Sequence, residues 1–101
     1  MSCEQLSREQ VLDLLRDYKD EFQQKYGVTA LGIFGSVARD EAAETSDVDV
    51  VVQMRRPDLY YLVHIKETLE EALGCPVDIV RYREHMNPAL KKRIDKDHVY
   101  V

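Results

Sequence analysis

Gly35-Ser36-Val37-Ala38-Arg39, followed by Ser46-Asp47-Val48-Asp49-Val50-Val51-Val52, is the stretch whose reading decides this chain. A strand period of two puts Asp47 and Asp49 on one face. A third aspartate, Asp78, sits in the equally apolar run Val77-Asp78-Ile79-Val80. Burying unpaired carboxylates in such segments is very costly, and a bound divalent cation offsets the cost. Gly35-Ser36 closes an apolar segment, with ten residues between it and Asp47, and a turn there suits a phosphate group. Carboxylates that can hold a metal, beside a phosphate cradle, point to phosphoryl or nucleotidyl transfer.

Upstream, the pattern predicts a helix from Ser7 as N-cap with Gln10 as its capping-box partner, and Leu6 and Val11 spaced for a hydrophobic staple. Val11, Leu12, Leu14, Leu15, Tyr18 and Phe22 form its apolar stripe, and Gly27 ends it. Val28 to Phe34 reads as a strand, with a short helix from Val37 to about Ala43 after the Gly-Ser turn. Glu44-Thr45-Ser46 is a polar connection, and Asp47 to Gln53 the second strand. Asp58 caps a helix that carries Leu59, Leu62, Val63, Ile65, Leu69 and Leu73 and stops at Gly74. Val77 to Tyr82 is a third strand, Pro88 opens a last helix running to about Asp95, and His98-Val99-Tyr100-Val101 is an edge strand or an extended tail. The order α-β-α-β-α-β-α predicts a single domain over residues 1–101, with a mixed or mostly parallel open sheet and helices packed on it.

The chain has 101 residues and a net charge of −5, with 45% hydrophobic and 33% charged residues. That composition excludes a disordered or repetitive chain. The acidic balance argues against an extended nucleic-acid footprint. With no apolar run long enough to span a membrane and no secretory leader, a cytoplasmic protein is expected, with Cys3 and Cys75 as thiols; a Cys3–Cys75 disulfide is the weaker alternative.

A magnesium ion takes hard oxygen ligands, commonly one or two carboxylates together with substrate phosphates. Asp47 and Asp49 supply two, and Asp78 a third if its strand lies beside theirs. Gly35 lets the backbone approach a phosphate, Ser36 adds a hydroxyl and an N–H, and a helix starting at Val37 would aim its free N–H groups there. Arg39 is within reach of a phosphate oxygen. A lone Gly-Ser turn would be weak evidence; three aspartates in apolar runs are not explained by turns or caps. His64, His85 and His98 lack ligand spacing, Tyr60-Tyr61 reads as a half-buried helix face, and Lys91-Lys92-Arg93 and Arg55-Arg56 read as solvated charge.

Taken together, Gly35-Ser36-Val37-Ala38-Arg39 through Ser46-Asp47-Val48-Asp49 resembles the signature of the polymerase-β nucleotidyltransferase superfamily. It is most similar to the minimal nucleotidyltransferases, small prokaryotic members written GSxAR…SDxD, and the likeness covers nearly the whole chain. One departure is Asp40, where many relatives have Gly; it can continue the short helix while adding negative charge near the phosphates. The resemblance implies a polymerase-β-like fold of α/β (α+β) class, a small mixed sheet flanked by helices. It implies that Gly35 and Ser36, with Arg39 and Ser46, hold the triphosphate of an incoming nucleotide. Asp47, Asp49 and Asp78 would hold two Mg²⁺ ions, and Asp78 would help activate the attacking hydroxyl. The implied reaction moves AMP from ATP, or a nucleoside monophosphate from another NTP, to a hydroxyl. The implied partner is a helical HEPN-type protein, the pair forming a toxin–antitoxin system in which a tyrosine of the toxin is modified. A different reading keeps the partner and drops the chemistry: an antitoxin that neutralises by covering. A small-molecule modifier is a weaker third reading, because no substrate domain follows Asp78.

Overall fold

The computed structural model describes residues 7–35, 48–56, 58–83 and 85–101. Leu6, the expected helix from Val37, the polar connection and Asp47 lie outside the described residues. Helix α1, Arg8–Tyr26, begins as its sequence requires. The Gln10 N–H donates to the Ser7 hydroxyl at 3.2 Å, and the Ser7 N–H donates to the Gln10 side chain at 2.8 Å, which satisfies two N–H groups that a helix start otherwise leaves without partners. Its stripe buries Val11, Leu12, Leu15 and Phe22, and Gly27 caps its end.

Strand β1, Val28–Phe34, pairs antiparallel with β2, Val48–Met54. Helix α2, Leu59–Leu73, starts where the Asp58 carboxylate accepts from the Tyr60 N–H at 2.8 Å. It carries the chain across to β3, Val77–Arg81, which pairs parallel with β2; a parallel pair needs such a crossover. Helix α3, Pro88–Asp97, has Pro at its start and Asn87 as N-cap, a position where the missing proline N–H costs nothing. It runs two residues beyond the sequence expectation, to the His98 N–H donating to the Ile94 carbonyl. The C-terminal Val99–Tyr100 is a true edge strand, β4, antiparallel to β1.

The four-stranded mixed sheet has the order β3-β2-β1-β4. Alternation divides its side chains. Leu31, Ile33, Val48, Val50, Val52 and Val77 face α1 and α2 and form the main core. Phe34 and Val51 face the other way and pack with Ile94 of α3. Gly32 is required on that second face: a Cβ there would come within 2.9 Å of the Tyr100 Cα and of its ring. The Tyr100 hydroxyl accepts from Gln53 Nε2 at 3.1 Å, tying β4 to β2 across β1. Glu70 of α2 accepts from the Val77 N–H at 3.0 Å and fixes where β3 begins.

Leu15 is fully buried under the sheet, so Leu15→Ala removes apolar burial and leaves a cavity. The expected loss is about 3 kcal/mol, read in a urea titration. A loss under about 1 kcal/mol would mean that the α1 seam collapses onto the gap. Among the described residues no helix is long and apolar enough to cross a membrane.

Candidate active site

The site sits where β1 ends and β2 and β3 begin. Gly35 follows Phe34 directly, is buried, and holds φ at +75°. That left-handed conformation suits glycine and disfavours any side chain. Space gives the same answer: a Cβ at Gly35 would stand 2.5 Å from Oδ2 of Asp49. The backbone at the turn therefore closes directly onto a carboxylate.

Asp49 and Asp78 are register partners in the parallel β2–β3 ladder. They share the face that carries Val51 and Val80, opposite the α1–α2 core. Neighbouring strands lie about 4.8 Å apart, so two carboxylates in register repel one another, and a divalent cation between them relieves the repulsion. Asp49 is half-buried and Asp78 exposed on the outer strand. Hard oxygen donors beside a side-chain-free backbone turn fit Mg²⁺ carrying a nucleotide phosphate. Among the described residues there is no group of three metal-ligating side chains, and Asp47 lies outside them, as do Ser36, Arg39, Asp40 and Ser46.

Across the sheet the order is Gly35 after β1, Asp49 on β2, then Asp78 on the edge. Gly35 and Asp49 thus lie on the inner strands, and Asp78 lies on the edge strand β3. There a hollow of about 220 Å³ is lined by Leu59, Leu62, Val63, Lys66, Asp78 and Ile79. The sequence reading did not single out Lys66, which lines this hollow. The helical spacing of Leu59, Leu62, Val63 and Lys66 was the available signal that one face of α2 turns toward β3.

The remaining candidates keep structural roles. His64 is half-buried, its ring stacked 6.4 Å from Tyr26 and edge-on to Tyr60 at 4.4 Å. His98 Nδ1 lies 2.8 Å from the Ile94 carbonyl. Lys91 stands over the Tyr82 ring at 5.9 Å, and Arg55 and Arg56 are exposed.

The family model described as nucleotidyltransferase domain matches residues 15–101. A relative from Thermococcus cleftensis, named protein adenylyltransferase MntA, is 35% identical over 97 residues, spanning 95% of this chain and 97% of its own length. A solved structure described as a minimal nucleotidyltransferase superposes with a TM-score of 0.74 at 30% identity, covering 95% of this chain and 97% of that one. A chain from the solved complex of a tri-AMPylated HEPN toxin of Shewanella oneidensis with its MNT antitoxin shares the fold, with a TM-score of 0.60 at 20% identity over 92% of this chain and 66% of that one. With the matched region running from within α1 to the last residue, and with relatives aligned over almost their whole length, this chain belongs to the nucleotidyltransferase domain family and is a nucleotidyltransferase.

Proposed function

We propose that the chain is a Mg²⁺-dependent protein adenylyltransferase that moves AMP from ATP to a tyrosine hydroxyl of a helical HEPN-type toxin, and so acts as its antitoxin. The observation that carries this reading is the register of Asp49 with Asp78 beneath the buried Gly35 turn. The names of the relatives and of the structural neighbour support the acceptor class.

In this reading Gly35 and Ser36 hold the triphosphate, with Arg39 and Ser46 beside them. Asp47, Asp49 and Asp78 hold the metal, which when bound neutralises charge on the phosphates and the leaving group. Asp78, the outermost and most exposed of the described pair, takes the proton from the acceptor hydroxyl. The hydroxyl oxygen forms a bond to the α-phosphorus, the bond from that phosphorus to the bridging oxygen breaks, and pyrophosphate leaves. Gly35 admits no side chain between the turn and Asp49, which keeps the phosphate side tight.

The test is transfer of label from ATP to a purified HEPN-type toxin with Mg²⁺. Asp78→Asn is expected to slow labelling about 100-fold or more, the scale of a lost general base, while the complex still elutes intact. Labelling at the wild-type rate by Asp78→Asn would remove Asp78 from the chemistry. Neutralisation of the toxin with no labelling by the wild type would favour the covering antitoxin.

A further inference from the structure

Among the described residues, exposed large apolar side chains cluster at the start of α2, two of them beside Asp78. Among the described residues the exposed large hydrophobics are Leu59, Tyr60 and Val63, at 78%, 66% and 44% exposure. All three lie in the first turns of α2, and Leu59 and Val63 line the hollow that also holds Asp78. A second hollow of about 330 Å³ adjoins it, shares Leu62 and Ile79, and runs on toward Met86 and Leu90. The two form one groove along the outer side of β3, from the start of α2 to the start of α3.

The groove has a backbone edge as its floor. The ladder begins with the Val48 N–H donating to the Pro76 carbonyl and ends with the Tyr82 N–H donating to Val52. In a parallel ladder this turns the even-numbered residues of β3 toward β2 and the peptide groups of Ile79 and Arg81 toward the open edge. Such an edge is a template for a further strand. The charged side chains lining the groove are Lys66 beside Asp78 at one end and Arg81 and Arg83 at the other, a local cation excess on a chain whose net charge is −5.

We propose that this groove is the docking surface for the acceptor protein, which lays an apolar segment flanked by acidic residues along β3 and against Leu59 and Val63. This rests on the protein-acceptor reading above. In that reading Gly35 and Asp49 hold the phosphate side on the inner strands, and Asp78 stands on the edge strand, so an acceptor hydroxyl reaches Asp78 from the β3 side. A protein delivering it from there must cross the groove. The local cation excess selects an acidic partner segment, which the rest of this acidic chain would repel.

The experiment measures binding of a purified HEPN-type toxin without nucleotide, by analytical ultracentrifugation, and AMP transfer separately. The Leu59→Glu/Val63→Glu variant is expected to weaken binding at least tenfold and to raise KM for the toxin similarly, with ATP binding unchanged. Leu59→Ser alone gives a smaller shift in the same direction, and circular dichroism checks that both variants fold. Binding equal to wild type in both variants overturns the proposal, as does a wild type that does not bind the toxin. A variant that instead changes the self-association of the chain, with toxin affinity intact, assigns the face to a second copy and also overturns it. Tight binding lost in the variant but without AMP transfer by the wild type upholds the docking surface while refuting the adenylyltransferase reading.

Discussion

Asp49→Asn is expected to lower AMP transfer by about 10³-fold, some 4 kcal/mol of transition-state stabilisation, while leaving the fold in place. Asparagine keeps the shape of the side chain and loses the charge. The half-buried position beneath Gly35 is filled as before, so the β1–β2 pairing has no reason to change. What would disappear, on the proposed function, is a hard anionic metal ligand. The same variant separates ligand binding from folding. ATP with Mg²⁺ is expected to raise the melting temperature of the wild type through preferential binding to the folded state, and that rise is expected to vanish in Asp49→Asn. Wild-type labelling rates, or an unchanged ligand-induced rise, would place the metal elsewhere.

Gly35→Ala is expected to cut activity about 100-fold by moving a carboxylate it does not replace, since misplacement of about 1 Å at a reacting centre costs that much. The added methyl meets two obstacles together. The left-handed backbone costs a non-glycine residue about 1–2 kcal/mol. The Cβ would also stand 2.5 Å from Asp49 Oδ2, a separation that atoms do not tolerate. Either the turn opens or Asp49 swings away from its register with Asp78. The readouts differ in size: a melting temperature lower by about 5–15 °C, against a near-complete loss of transfer. A variant with normal kinetics and a lowered melting temperature would show that the close approach is structural alone.

Much of this was legible in the sequence because the signals were local. Ser7 with Gln10, Asp58 as a cap, and Pro88 in a first turn each mark a helix start, and α1, α2 and α3 begin there. Alternation in Val48-Asp49-Val50-Val51-Val52 named the face of Asp49, and the apolar run around Asp78 named its strand. What the residues left open was pairing. Nothing local states that β1 runs antiparallel to β2 while β3 runs parallel, or that β4 adds to β1 at Gly32. Those depend on contacts distant in sequence: Tyr100 against Gly32 and Gln53, and Glu70 on the Val77 N–H. Ser36, Arg39, Ser46 and Asp47 lie outside the described residues, so the roles drawn for them rest on the motif. The groove at β3 escaped because Leu59 and Val63 looked like ordinary members of an apolar helical stripe, whereas Ile65 and Leu69 are the ones buried.

The side-by-side seating of Asp49 and Asp78 also sets which changes of length this chain tolerates over generations. Residues added to the connections around α2 lengthen an exposed path at a small entropic cost and leave both strands in phase. One residue added inside β2 or β3 is different. Because side chains alternate, it turns every residue beyond it to the opposite side, sending a carboxylate into the α1–α2 core and a valine out to the site. Insertions and deletions among relatives are therefore expected to collect at the ends of α2, and within the two strands to survive only in pairs.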